Sequence, residues 1–160
     1  MRTRRGVSRN LSRFNSSGIV TVVSVTENWD WSLRVFDHVD LCAADYAASV
    51  RFYETVLAPL GIPKLAQHSG ATCFTNLNVV DRRPPTRNLH LCFHARSRDQ
   101  VDAFYHAGTE AGFRGNGAPG YRDYAPGYYA AYLFDPDGNN IEALYRDIGN
   151  VGHGSTPQLH

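Results

Sequence analysis

Several features that mark other protein classes are missing from this sequence. Its three cysteines, Cys42, Cys73 and Cys92, have no C-x-x-C spacing, so neither a disulfide framework nor a zinc ribbon is expected. No apolar run approaches the roughly 20 residues that span a bilayer. Sixteen basic and fifteen acidic residues leave a net charge of +1. This balance disfavours nucleic-acid and membrane-surface partners, which require a concentrated positive field. These absences favour a reducing, cytoplasmic setting.

The 160 residues that are present fit one globular domain with a distinct amino-terminal arm. Hydrophobic residues make up 42% and charged residues 19% of the chain, which is typical of a domain with a core. Residues 1–33 are rich in arginine and serine, and no acidic residue precedes Glu27. That composition predicts a disordered arm or a transit-type presequence, with a β-prone run at 18–25. Residues 34–146 are the predicted domain, and 147–160 a flexible tail.

The predicted domain contains the same layout twice, in modules 34–83 and 87–146. The predicted strands and helices are 35–43 and 45–60 in the first module, and 88–95 and 97–111 in the second. Superimposing His38 on His90 gives an offset of 52 residues (90 − 38), and the same offset pairs the helix caps Asp45 and Ser97. The repeat predicts an α+β fold of paired βαβββ modules, with a concave mixed sheet and the helices outside it.

Turn residues and strand alternation organise the second module. The segment Asp135-Pro136-Asp137-Gly138 predicts a turn between strands at 128–134 and 140–145. Alternation places His90 on the face of its strand away from the helix, and Glu142 on one face of the last strand. Residues 71–79 predict a strand pair less clearly. Residues 115–122, with three glycines and a proline, predict a flexible loop.

Three side chains from three strands, His38, His90 and Glu142, are expected to face one concave cup. Two imidazoles and a carboxylate form a facial set of ligands that leaves coordination positions open for water or substrate. Taken one at a time, each has an ordinary structural explanation. A strand histidine is usually a satisfied polar residue, and a strand glutamate a simple surface charge. Geometry alone leaves both interpretations open.

Two groups of motifs carry a resemblance to a known family. The stretch from Phe36 to Leu41, with the later Phe52-Tyr53 and Leu60-Gly61 pairs, resembles the opening of glyoxalase/bleomycin-resistance/extradiol-dioxygenase proteins. The stretches His90-Leu-Cys-Phe93 and Asp135-Pro-Asp-Gly-Asn-Asn-Ile-Glu142 resemble the second half of this vicinal-oxygen-chelate superfamily. The resemblance covers residues 34–146.

The resemblance implies a metal-dependent enzyme that acts on a small molecule with vicinal oxygens, as a lyase, isomerase, thiol transferase or dioxygenase. In metal-using members the ligands of a divalent ion (Zn, Mn, Fe or Ni) occupy the positions of His38, His90 and Glu142. Members with a single pair of modules usually form a homodimer, in which two chains share a cup. The superfamily also contains metal-free, bleomycin-resistance-type binding proteins, so the fold does not decide the function.

Further residues are candidates for contact with substrate. Tyr132 is predicted on the strand beside Glu142, where a similarly placed tyrosine of extradiol dioxygenases hydrogen-bonds substrate, so Tyr132 and Glu142 are the catalytic candidates. The substrate-binding candidates are Tyr124, Tyr129, Arg122 and His94. Tyrosines at such positions are more often packing residues, and an arginine is more often solvated.

Overall fold

The computed structural model describes residues 36–147. The predicted arm, its β-prone run at 18–25 and the tail beyond Asp147 lie outside the described residues. In chain order the elements are β1 (Val39–Cys42), α1 (Tyr46–Leu57), a 3-10 turn (Ala58–Leu60), β2 (Lys64–His68), β3 (Ala71–Phe74), β4 (Leu77–Val80), β5 (His90–His94), α2 (Arg98–Glu110), β6 (Gly115–Tyr121), β7 (Tyr128–Phe134) and β8 (Asn140–Arg146).

The eight strands form two four-stranded mixed sheets with the same connectivity. The first sheet has the order β1-β4-β3-β2, and the second β5-β8-β7-β6. In each, the first strand runs parallel to the last, and the other neighbours are antiparallel. The predicted α+β fold of paired βαβββ modules is confirmed. None of the helices between residues 36 and 147 has the length and apolarity to cross a bilayer.

Both helices begin where the cap residues predicted. The Asp45 carboxylate accepts the N–H of Ala48, and the Ser97 hydroxyl accepts the N–H of Gln100, which satisfies donors that the first helical turn leaves free. The helix starts are 52 residues apart (98 − 46). Helix α1 ends three residues earlier than expected, because Pro59 follows it and the chain continues as a 3-10 turn.

The first module differs from its prediction in two places. Strand β1 begins at Val39 rather than at residue 35, because its partner β4 begins only at Leu77 and the N–H of Val39 already reaches the carbonyl of Asn76. Residues 36–38 therefore precede the strand. The pair expected at 71–79 is confirmed as β3 and β4, joined by a tight turn in which Thr75 has a φ of 53°. Strand β2 was not predicted.

The prediction of a flexible loop at 115–122 is wrong, since residues 115–121 are strand β6. Its glycines disfavour a strand by propensity, but here they make room for side chains of the next strand. A Cβ at Gly117 would lie 2.8 Å from Cδ2 of Tyr132. The pairing with β7 is interrupted by two register shifts on either side of Gly117, as expected for a bulged edge strand.

The core joins the two modules. Residues buried beneath both helices form one apolar cluster that includes Leu41, Phe52, Phe104 and Ile141. The Tyr53 hydroxyl of α1 donates to the buried Asp135 carboxylate at 2.9 Å, within the turn between β7 and β8. Asp135 also accepts the backbone N–H groups of Asp137 and Asn139. The second sheet is therefore held in place by a hydrogen-bonded turn that contacts the first module.

Candidate functional site

The candidate site lies on the outer face of the second sheet, meaning the face turned away from the helices. Alternate residues of its strands point there: His90, Cys92, His94, Asn140, Glu142, Leu144, Tyr128, Ala130 and Tyr132. The residues between them, such as Leu91, Ile141 and Leu133, belong to the apolar core. The predicted facing of His90 and Glu142 is confirmed by this alternation.

Glu142 is the centre of this face. It is only 1% exposed, although its side chain is a carboxylate. Its hydrogen-bond partners are a tyrosine and a histidine, and neither is a lysine or an arginine. Oε1 accepts the Tyr128 hydroxyl at 2.7 Å, and Oε2 lies 2.8 Å from Nε2 of His90. Burying a carboxylate is costly unless it is hydrogen-bonded or binds a metal, so the arrangement is typical of a functional group.

The other ring nitrogen of His90 is also held. Nδ1 lies 2.7 Å from the amide nitrogen of Asn140, and the Asn140 carbonyl oxygen accepts the Asn116 amide at 2.9 Å. An amide nitrogen only donates, so Nδ1 of His90 accepts, and Nε2 carries the ring proton that it donates to Oε2 of Glu142. At His38 the direction is reversed, because the Asp37 carboxylate accepts the proton of Nδ1 at 2.7 Å and leaves Nε2 as an acceptor.

Tyr132 adds a hydroxyl with no partner inside the described chain. It is the register partner of Glu142 on the adjacent strand, as predicted, and only 8% of its surface is exposed. Its buried hydroxyl makes no hydrogen bond, which is unusual because nearly all buried polar groups are paired. An unpaired donor beside a buried carboxylate is suited to binding an oxygen atom of a ligand.

The protonation of the neighbours follows from this burial. Burial, and then the hydrogen bond to Glu142, raises the pKa of the Tyr128 phenol far above its usual range. Burial and the charge of Glu142 raise the pKa of Tyr132 to about 12 and that of the Cys92 thiol far above its usual range. All three groups are therefore neutral at physiological pH. The Tyr128 hydroxyl donates to Glu142, and the Tyr132 hydroxyl keeps a proton that it can donate to a ligand.

The third predicted ligand, His38, lies apart from the other two. It precedes β1 of the first sheet, is exposed, and contacts Asp37. Within residues 36–147, no three His, Cys, Asp or Glu side chains are grouped closely enough to hold a metal ion. One chain thus brings together His90 and Glu142 only, and the complete three-ligand set stays a prediction that requires a second copy of the chain.

The predicted substrate contacts separate into two groups. Tyr124 is 66% exposed and lies edge-on to the Tyr128 ring at 5.4 Å between centroids, at the rim of the site. Arg122 lies over the Tyr132 ring, and His94 shares the outer face at the far end of β5.

The predicted position of Tyr129 among the substrate contacts is corrected by the structure. Its hydroxyl donates to Asp102 of α2 at 2.8 Å, and its ring packs against the core. Because it alternates with Tyr128 and Ala130 along β7, it points to the helix side and does not share the site.

Two contacts of the site were not predicted. Tyr128, one of the tyrosines expected at the rim of the cup, binds Glu142, and Asn140, which was not among the predicted site residues, binds His90. The signal was available in the sequence, because the turn at 135–138 sets the register of β7 and β8 and places Tyr128 on the face of Tyr132. The diagonal contacts between strands depend on rotamers, which a sequence does not specify.

The outer face provides some, but not all, of the side chains that a divalent ion requires as ligands. Nε2 of His90 and Oε2 of Glu142 converge on one point, and imidazole with carboxylate is a combination used by zinc, iron, nickel and manganese sites. The unpaired Tyr132 hydroxyl lies beside them. His90 and Glu142 would supply two ligands to such an ion, and further ligands would have to come from outside residues 36–147 of the same chain.

Comparison with known proteins places this geometry in a family. The model of the Glyoxalase/Bleomycin resistance protein/Dioxygenase superfamily matches residues 35–143. The uncharacterized protein YqjT of Bacillus subtilis (strain 168) is 30% identical over 126 residues, which are 67% of this chain and 95% of that protein.

Solved structures are similar over the same region. The crystal structure of a glyoxalase/bleomycin resistance protein from Albidiferax ferrireducens T118 is 34% identical, with a TM-score of 0.61, over 71% of this chain and 100% of its own. Oxidase ChaP-H2 is 25% identical, with a TM-score of 0.54, over 76% of this chain and 99% of its own. Because the family model matches most of its length, this chain belongs to the Glyoxalase/Bleomycin resistance protein/Dioxygenase superfamily.

Proposed function

We propose that this protein is a metal-dependent enzyme acting on a small molecule with vicinal oxygens, and that His90 and Glu142 are two of its metal ligands. The observation that supports this most is the convergence of His90 Nε2 and Glu142 Oε2, 2.8 Å apart, with the carboxylate almost fully buried. A ligating histidine usually donates its second ring N–H, so an ion bound at Nε2 would require the Asn140 amide to turn its oxygen to Nδ1.

The third ligand in this proposal is His38 of a second copy. His38 is exposed, and its Nε2 is free because Asp37 holds Nδ1. In this proposal His38 reaches the His90–Glu142 pair across a homodimer, in which the first sheet of one copy would face the second sheet of the other. A C2 dimer of this kind contains two identical sites.

The residues of the outer face have separate roles in the proposed reaction. A bound divalent ion would supply Lewis acidity, polarising an oxygen of the substrate. The Tyr132 hydroxyl, neutral and unpaired, donates a hydrogen bond to an oxygen on which negative charge develops. Glu142 accepts a proton or a hydrogen bond, while Tyr128 holds its other oxygen. Lyase, isomerase, thiol-transferase and dioxygenase reactions would then differ in what the rest of the site supplies.

A metal-free binding protein is the second candidate function. The observation in its favour is that no three ligand-type side chains are grouped within residues 36–147 of a single chain, while tyrosines line the outer face and its rim. In that case the same face binds a small molecule without changing it. Metal content separates the two functions.

Equilibrium dialysis of chelator-treated protein against Mn²⁺, Fe²⁺, Zn²⁺ and Ni²⁺, followed by elemental analysis, tests the proposal. We expect about one ion per chain, and none in His90→Ala. The matched control is His94→Ala, because His94 lies on the same strand and face but makes no contact with Glu142. Wild-type protein that stays empty with all four ions contradicts the enzyme and favours the binding protein.

A further inference from the structure

Three arginines are stacked on the aromatic side chains of one strand. The guanidinium carbon lies over the ring centroid at 3.9 Å for Arg114 on Phe134, at 5.4 Å for Arg122 on Tyr132, and at 4.7 Å for Arg146 on Tyr128. The three rings occupy even-numbered positions of β7 and therefore share its outer face, the face of Glu142. The stacks thus place three positive charges along the candidate site.

Little negative charge opposes them. Glu142 is the one acidic residue within strands β5 to β8, and both of its oxygens are already engaged by Tyr128 and His90. Asp123 and Asp147 follow Arg122 and Arg146 directly in the chain, and Asp147 is already engaged by Tyr121 and Arg98. Within the described range, no ion pair closer than 4.0 Å joins any of these three arginines to a carboxylate. The outer face therefore carries an excess of positive charge, which attracts anions to it.

Arg122 is fixed in position rather than free in solvent. Its guanidinium donates to the backbone carbonyls of Ala118, Tyr121 and Ala130. Carbonyl oxygens orient a guanidinium but do not cancel its charge, so the positive group is organised before any ligand arrives.

Two glycines of β6 make this arrangement possible. A Cβ at Gly120 would lie 3.1 Å from Nη1 of Arg122, and one at Gly117 would lie 2.8 Å from the Tyr132 ring. Gly117 and Gly120 thus leave space on the bulged strand β6 for the Tyr132 ring and the Arg122 guanidinium.

We propose that the natural ligand of this face is an anion: a small molecule that carries a negatively charged group, such as a carboxylate, in addition to the oxygens directed at His90 and Glu142. This inference takes its location from the proposed function, but its charge preference does not depend on a metal. Arg122 and Arg146, which stack on the two tyrosines beside Glu142, are the groups that select the charge. Cationic ligands are repelled by the same field.

Three catechols that share vicinal oxygens and differ in charge test the proposal: protocatechuate (anionic), catechol (neutral) and dopamine (cationic). Isothermal titration calorimetry on the full chain, both chelator-treated and Mn²⁺-loaded, measures their affinities. We expect protocatechuate to bind about tenfold more tightly than dopamine, with catechol between them, since a single charge contact at partly exposed sites has this order of effect. Added salt reduces the affinity for protocatechuate but not for catechol.

Variants identify the responsible charges. Arg122→Gln and Arg146→Gln are each expected to remove most of the preference for protocatechuate, whereas Arg122→Lys retains it. Arg51→Gln is the matched control, because Arg51 also stacks on an aromatic ring, Phe113 at 4.6 Å, and also donates to a carbonyl, but does so on α1. If Arg122→Gln fails to fold, Arg146→Gln and the salt dependence still show whether positive charge on this face causes the preference for protocatechuate.

The proposal is overturned if dopamine binds as tightly as protocatechuate, if none of the three catechols binds, or if Arg51→Gln changes the preference as much as the two site variants do. A preference for protocatechuate in chelator-treated protein that takes up no Mn²⁺ would support the charge preference while contradicting the metal-dependent function.

Discussion

His90 and Glu142 meet diagonally across two parallel strands. The register partner of His90 is Asn140, and that of Glu142 is Cys92, yet Nε2 of His90 lies 2.8 Å from Oε2 of Glu142. The contact is made because Asn140 holds the far side of the imidazole ring, while Tyr128 holds the other carboxylate oxygen. Each of the two residues is thus oriented by a neighbour from its own sheet.

Removing the Tyr132 hydroxyl is expected to stabilise the ligand-free protein. Because that hydroxyl is buried without a partner, Tyr132→Phe should raise the free energy of unfolding by about 1 kcal/mol. Tyr53→Phe is the matched control. It removes a hydroxyl bonded to the buried Asp135 and should lower the free energy of unfolding by about 1–3 kcal/mol. Urea denaturation measures both; a loss of stability in Tyr132→Phe would mean that its hydroxyl is paired.

Asn140 is expected to set the metal affinity without touching the metal. The Asn140 amide donates to Nδ1 of His90 and so keeps the ring proton on Nε2. In Asn140→Asp a carboxylate accepts a proton from Nδ1 and frees Nε2 for an ion, and an outer partner of this kind typically changes metal affinity by roughly 10–100-fold. We therefore expect Asn140→Asp to bind metal more tightly than the wild type, as measured by calorimetric titration with Mn²⁺ or Zn²⁺, with nitrogen NMR of His90 reporting the tautomer. Unchanged affinity and tautomer in Asn140→Asp would show that Asn140 has no such role.

The junction between the modules should be sensitive to high pH. Burial, and then the charge of Asp135, raises the pKa of Tyr53 well above its ordinary value of 10.0. Above pH 10 the unfolded chain releases this proton and the folded chain keeps it, so the Tyr53 contribution is complete below pH 10 and declines as the pH rises. The stability difference between wild type and Tyr53→Phe should therefore shrink above pH 10 in urea titrations. A constant difference in stability above pH 10 would contradict the raised pKa of Tyr53 in the folded chain.

Much of the fold and half of the site follow from local rules. The caps Asp45 and Ser97 fix where the helices begin, and the turn at 135–138 fixes the register of β7 with β8. Alternation then places Glu142 and Tyr132 side by side on the outer face. These features depend on hydrogen bonds and periodicities that extend over a few residues, which a sequence reveals directly.

The remaining features depend on tertiary contacts. Strand β6 forms against the propensity of its glycines because the Tyr132 ring needs the space at Gly117. Strand β1 is short because β4 offers no partner before Leu77. The position of His38 relative to the second sheet is set by how sheets pack, and alternation along one strand carries no information on the distance between two sheets.

A mixing experiment tests the shared metal site most directly. His38→Ala and His90→Ala chains are each expected to bind no ion, since each site then lacks a ligand. When the two are unfolded and refolded together, half of the dimers are mixed, and each contains one site with His38 from one chain and His90 with Glu142 from the other. Equilibrium dialysis with elemental analysis should then recover about a quarter of the wild-type metal content. A mixture that binds no more metal than the separate variants, while the wild type binds one ion per chain, would contradict a site shared between two chains.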